Sequence, residues 1–170
     1  MPIVVDVLAQ AGKEFSDLNR IAVTRGPGSF TGIRVGLAAA RGIALAAHKP
    51  VIGIDRFAIY HALHVVPEQN LLVVIESRRE ELFCKFYPAG DAAHEAVLMT
   101  QPQINTFVVA HPGTFIAGDI ATPQDNMVAT CARLAASADP QDSAFAPLPL
   151  YLRAPDVNMS GIGPISASSR

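Results

Sequence analysis

The stretch TRGPGSFTGIRVGLAAARGIALAAH, residues 24–48, begins as a glycine-rich turn and continues as an alanine-rich run with glycine at intervals. It is preceded by RIAVTRG, a short apolar run of the kind that forms a buried strand, and followed after Pro50 by VIGI, which has the texture of a parallel strand. Ser29 or Thr31 is placed to cap a long helix that ends near His48, with Pro50 as its stop. Strand, glycine turn, helix and strand in succession predict an α/β fold.

Glycine at a helix start has two chemical uses. Unpaired N–H groups backed by the helix dipole attract anions, so Gly26, Gly28, Ser29 and Thr31 are candidate phosphate contacts. The match to phosphate motifs is poor, because GPGSFTG has no lysine of the P-loop type and puts proline in the dinucleotide pattern. Alternatively the glycines permit a tight turn around Pro27 while Ser29 caps the helix. Ser29 as a nucleophile has no histidine and aspartate assignable to it, and GPGSF is not the G-x-S-x-G elbow. Further along, Gly32, Gly36 and Ala40 recur every four residues, and Ala39, Gly42 and Ala46 extend a surface with almost no side chains. Each glycine inside a helix costs about 1 kcal/mol relative to alanine, so close packing must offset it, either against the chain's own sheet or against a partner.

Working outward, residues 2–11 carry apolar positions at Val4, Val7, Leu8 and Ala11 at helical spacing, with Gly12 as C-cap. Asp55 caps a second helix in DRFAIYHALHVV. From Leu71 the texture changes to hairpin strands, LLVVIES, ELFCKFY and EAVLM, followed by a strand in TFIAGD, a helix in PQDNMVATCARLAASA and a closing segment PLPLYLRAPDVN. The final MSGIGPISASSR is small and polar and predicts disorder. The expected division is a first unit over residues 1–66, a second over 67–157 and a tail over 158–170.

A chain of 170 residues with 50% hydrophobic and 16% charged residues can bury a core of its own. Its formal net charge of -2 provides no basic field for direct nucleic-acid binding. Cys84 and Cys131 lack metal or redox spacing, which fits a reduced, cytoplasmic protein. MPIVVDVLAQ has no signal-peptide features, and the uncharged stretch 96–118 is interrupted by prolines, Gln101, Asn105 and His111, so no membrane span is expected.

Together, AVTRGPGSFTGIRVGLAAARGIALA, KPVIGIDRF, VVIESRREELFCKFY and PLYLRAPDV resemble the signature segments of the TsaB (YeaZ) family, over residues 1–157. The resemblance implies a duplicated, two-lobed fold of the actin-like and Hsp70-like ATPase (ASKHA) type. It also implies a non-catalytic role in tRNA threonylcarbamoyladenosine modification: a heterodimer with the catalytic subunit TsaD, joined by the ATPase TsaE, with tRNA contacted only indirectly. Homodimer formation is a further state to expect. No cofactor is implied for the chain alone, ATP or ADP entering only within the complex. On this reading Gly32, Gly36, Ala39, Ala40, Val4 and Leu8 form the partner surface, no residue is catalytic, and no metal is bound.

Two departures qualify the resemblance. Family members begin with strands and an acidic-Thr-Ser turn, whereas this chain opens within the first helix. The expectation is therefore a first lobe lacking its N-terminal strands, about 40 residues, a length the resemblance implies and one large enough for three strands of typical size. TsaD-like relatives carry a metal-binding H-x-x-x-H where this chain has Arg56 and Tyr60, neither of which supplies an imidazole. His61 and His64 have helical spacing but no third ligand, and predict a half-exposed histidine pair. Glu76, Arg78, Arg79 and Glu80 could suggest acid–base work but predict a solvated turn. The alternative function is an independent ATP-dependent phosphotransferase or glycoprotease-like hydrolase.

Overall fold

The computed structural model describes residues 2–119 and 126–153. The first elements are helix α1 (Pro2–Gln10), strand β1 (Ile21–Thr24), helix α2 (Phe30–Ala47), strand β2 (Val51–Ile54) and helix α3 (Arg56–His64). Strands β3 (Leu71–Ile75), β4 (Leu82–Tyr87) and β5 (Val97–Met99) follow, then α4 (Gln101–Ala110), β6 (Phe115–Gly118) and α5 (Met127–Ser137).

Local chemistry sets these boundaries. Ser29 accepts from the Gly32 N–H at the start of α2, and Asp55 accepts from the Ala58 N–H at the start of α3, as their positions predict. α2 closes with His48 in the left-handed region, its N–H donating back to Ala44 and Leu45. α1 ends at Gln10, with Gly12 at φ +61 and the Lys13 N–H returning to Leu8. Helix α4 is a departure from the expected layout, which placed no element between EAVLM and TFIAGD. Its start is nonetheless encoded: Pro102 lies in the first turn, and Thr100 and Gln103 form a reciprocal capping box.

Two sheets result. β1 and β2 pair in parallel from Ile21↔Val51 to Thr24↔Ile54. The second sheet has the order β5-β4-β3-β6, with β3 and β6 parallel and the other pairs antiparallel. The all-apolar run of β3 is buried on both faces. On one face Leu71, Val73 and Ile75 meet Phe57 and Tyr60 of α3; on the other Leu72 and Val74 meet Cys84, Phe86 and Ile104. Ile59 of α3 turns instead to the first sheet, joining Ile52, Ile54, Cys131 and Ala135. α3 is thus shared between the sheets, and α5, although encoded beyond the second sheet, packs over the first.

Arg20 fixes that return of the chain by donating to the carbonyl oxygens of Ala135 and Ala138 at 2.7 and 2.8 Å, at the end of α5 where carbonyls lack helical partners. By length and composition α2 is long and apolar enough to cross a membrane. Its Leu37, Ala40 and Ala44 are instead buried in this fold, and its arginines bind other parts of the chain: Arg34 donates to the Tyr151 hydroxyl and Arg41 to the Pro147 carbonyl. The expected polar tail, residues 158–170, lies outside the described residues.

Candidate functional site

The glycine turn between β1 and α2 is assembled from below by α3. The Arg56 backbone N–H donates to the Gly26 carbonyl at 2.8 Å, and its guanidinium Nη1 to the Pro27 carbonyl at 3.3 Å. Gly26 has φ +107, and a β-carbon there would fall 2.8 Å from the Ile33 side chain and 3.2 Å from the Leu150 carbonyl. Glycine at this position therefore serves the packing of the turn. The Gly26–Pro27 peptide is cis, and Pro27 is buried.

Above the turn lies a cleft of about 750 Å³. One wall is Gly28, Ser29, Phe30 and Thr31; the opposite wall is residues 76–79 of the β3–β4 hairpin. Leu150, Tyr151, Leu152 and Arg153 line a third side, with Arg56 and Asp119 at the floor. Three of the candidate phosphate contacts, Gly28, Ser29 and Thr31, thus border the cleft, whereas Gly26 is buried beneath it. The hairpin charges Glu76, Arg78, Arg79 and Glu80 are exposed, as a solvated turn requires, and the first three also border this cleft. The turn forms through Arg78 in the left-handed region, at φ +58.

The floor is a closed polar network. Asp119, at the end of β6, accepts from the Arg56 guanidinium, from the Tyr60 hydroxyl at 2.6 Å and from the Glu76 N–H at 3.0 Å. Burial, reinforced by the neighbouring Asp119 carboxylate, pushes the Tyr60 hydroxyl up to about 12. The pair that stands where the resemblance places metal ligands therefore holds three elements together through one carboxylate. Among the described residues no cluster of three or more His, Cys, Asp or Glu side chains could hold a metal. The Ser29 hydroxyl is engaged as the α2 cap, and among the described residues no histidine lines the cleft.

His61 and His64 lie on the side of α3 that faces the second sheet. His61 stacks on Tyr87 with centroids 4.2 Å apart, and His64 lies against Phe115 at 5.8 Å. Burial, with the Lys85 charge adding to it, holds the His61 imidazole below its usual value, so it packs as a neutral ring.

The helical surface has an open and a closed side. Gly32 and Ala39 are exposed and Gly36 is half-buried; a β-carbon at Gly36 or Gly42 would meet nothing within 4 Å, and one at Gly32 only the Ser29 side chain at 3.4 Å. The packing that offsets these glycines is therefore not supplied by the chain's own sheet. Ala40 departs from the expected surface: it is buried with Leu37 and Ala44, because four-residue spacing drifts around a helix of 3.6 residues per turn. On α1, Val4 is exposed and Leu8 half-buried, and Ile3 and Val7 are 77% and 57% exposed.

The family model for "TsaD: tRNA N6-adenosine threonylcarbamoyltransferase" matches residues 1–113. A segment of 55 residues, 32% of the chain, is 48% identical to the tRNA threonylcarbamoyladenosine biosynthesis protein TsaB of Escherichia coli. The chain belongs to this family, in its TsaB/YeaZ branch. The segment shared with the E. coli TsaB is 24% of that relative's length. An uncharacterised Mycobacterium bovis protein is 30% identical over 167 residues, covering 91% of this chain and 74% of its own. The fold is similar to that of YeaZ from Pseudomonas aeruginosa, with a TM-score of 0.62 at 20% identity, covering 89% of this chain and 82% of that one. The TsaB/YeaZ branch is thus supported by names and fold alike, and the mixed α/β architecture is the one it shares.

Proposed function

We propose that this chain is a non-catalytic subunit in the threonylcarbamoyladenosine modification of tRNA, and that it binds and activates a TsaD-type catalytic subunit through α1 and the open side of α2. The observation that carries this reading is the unfilled space at Gly36 and Gly42. A helix that pays for glycine without using it internally is suited to close backbone approach by another helix. The exposed apolar residues of α1 and Val35 of α2, 63% exposed, supply buried area for such a contact. Gly32, Gly36, Ala39, Val4 and Leu8 are its proposed residues. The two sheets are read as parts of two actin-like lobes, and a TsaE-type ATPase joins the assembly without requiring tRNA to touch this chain directly. The engagement of Arg56, Tyr60 and Asp119 with one another supports a subunit that does not itself carry the catalytic metal.

The test is Gly36→Glu, assayed by thermal unfolding and by titration against a TsaD-type subunit. The free chain has room for the side chain, so its unfolding midpoint should hold while binding is lost. Burying an unpaired carboxylate in a contact costs several kcal/mol, enough to remove a micromolar complex. Normal binding by a folded Gly36→Glu chain would sink the proposal.

A further inference from the structure

Residues 146–153, APLPLYLR, run from β2 to the cleft, which residues 150–153 line. Pro147 and Pro149 favour extended backbone, and in extended backbone successive side chains point to opposite sides. The structure uses both sides. Leu150 and Leu152 pack against the core of the second sheet around Phe57, Tyr60 and Phe83. Tyr151 points the other way, to the first turns of α2: its ring stacks on Phe30 with centroids 5.4 Å apart, and its hydroxyl accepts from Arg34 Nε at 2.8 Å. The Arg34 guanidinium in turn lies 3.8 Å from the Phe30 ring centroid, a cation–π contact.

The ends of the segment are tied as well. The Ala146 and Pro147 backbone lies over Gly53 of β2, where a β-carbon would come within 2.6 Å of the Ala146 carbonyl oxygen. Arg41 donates to the Pro147 carbonyl, and the Leu150 N–H donates to the Arg25 carbonyl at 2.8 Å. Arg153 pairs with Glu81, where the β3–β4 hairpin enters β4. The buried residues of α2, Leu37, Ala40 and Ala44, all lie beyond its first two turns, which are held by Ile33 against the Gly26 turn and by these ties.

We propose that residues 146–153 form a strap that fixes the first two turns of α2 to the second sheet, with Tyr151 as the positioning residue that sets how well the open side of α2 engages its partner. The partner half of this inference rests on the proposed function; the strap does not. Through Arg153 and Glu81 the strap also links α2 to the hairpin across the cleft.

The experiment compares the full chain with Tyr151→Ala, Tyr151→Phe and Arg153→Gln, by amide hydrogen exchange and by titration with a TsaD-type subunit. In Tyr151→Ala, amides of residues 34–38 should exchange about tenfold faster while those of α5 hold, the signature of local opening. Partner affinity should fall by about tenfold as the face loses its fixed orientation. Tyr151→Phe keeps the ring stack and should show a smaller change in both readouts, as should Arg153→Gln. Unchanged exchange at residues 34–38, or an equal rise in α2 and α5 that marks general destabilisation, overturns the strap. Faster exchange with undiminished affinity overturns the link to the partner face. If the unaltered chain binds no TsaD-type subunit, the functional proposal fails, and the exchange pattern alone decides the strap.

Discussion

A methyl group added at Gly118 would lie 1.7 Å from the carbonyl oxygen of Val74, whereas one added at Gly36 would meet nothing within 4 Å. Gly118 also sits at φ +138, outside the range that other residues adopt readily. β6 can approach β3 at its last residue only if that residue has no side chain. Gly118→Ala is therefore expected to cost about 3 kcal/mol or more, lowering the unfolding midpoint by about 6–12 °C for a chain of this size. Gly36→Ala should do the reverse, adding up to about 1 kcal/mol through helix propensity alone. Thermal melts of the two variants separate a glycine kept for the fold from one the fold does not use; a Gly36→Ala chain that melts well below its parent would place Gly36 in the first class.

Among the elements, the helix caps offer a graded comparison. Asp55 accepts from Ala58 at 2.8 Å in a half-buried setting, while Ser29 accepts from Gly32 at 3.3 Å on the surface. Asp55→Ala should cost about 1–2 kcal/mol and Ser29→Ala about 0.5 kcal/mol, measured by denaturant unfolding, with the reverse order contradicting the geometry. The Asp55 cap was legible in the sequence and the α2 cap as a choice between Ser29 and Thr31, as were β1, α2, β2 and α3, because each has a local signal: a capping residue, an apolar run or a proline stop. α4 has such signals too, in Thr100, Pro102 and Gln103, but its mixed apolar and polar residues carry little helical periodicity, and they read as an interrupted apolar stretch. The open side of α2 was legible as a small-residue surface, but the inward turn of Ala40 was not. Which side of a helix faces the sheet is decided by how its neighbours pack, and no local pattern records that.

At the scale of the whole molecule, contacts distant in sequence govern both the cleft and the response to pH. The cleft was not legible, because it brings together Gly28, Arg78 and Tyr151, whose meeting depends on the strap crossing from one sheet to the other. Burial holds the thiols of Cys84 and Cys131 up to about 12 and about 11, raises Tyr60 to about 12 and raises Tyr87 as well. Unfolding lets these groups ionise at their ordinary values of 9.0 and 10.0, so the stability they contribute is complete below pH about 9 and is lost as pH rises toward 11 to 12. Urea unfolding should register a loss of at least about 2 kcal/mol between pH 8 and 11. His61 acts in the opposite sense: its lowered value means stability is held above pH 6.5 and declines below it. A stability that stays flat from pH 8 to 11 would contradict the burial of the thiols and phenols. The return of α5 to β1 and β2, fixed by Arg20 on Ala135 and Ala138, also has a consequence for biosynthesis. A ribosome emits the first sheet well before the helix that covers it, at about 5–20 residues per second. For those seconds the nascent chain holds Ile52, Ile54 and Ile59 without the α5 residues that complete their cluster, and this interval is when a chaperone has most to protect.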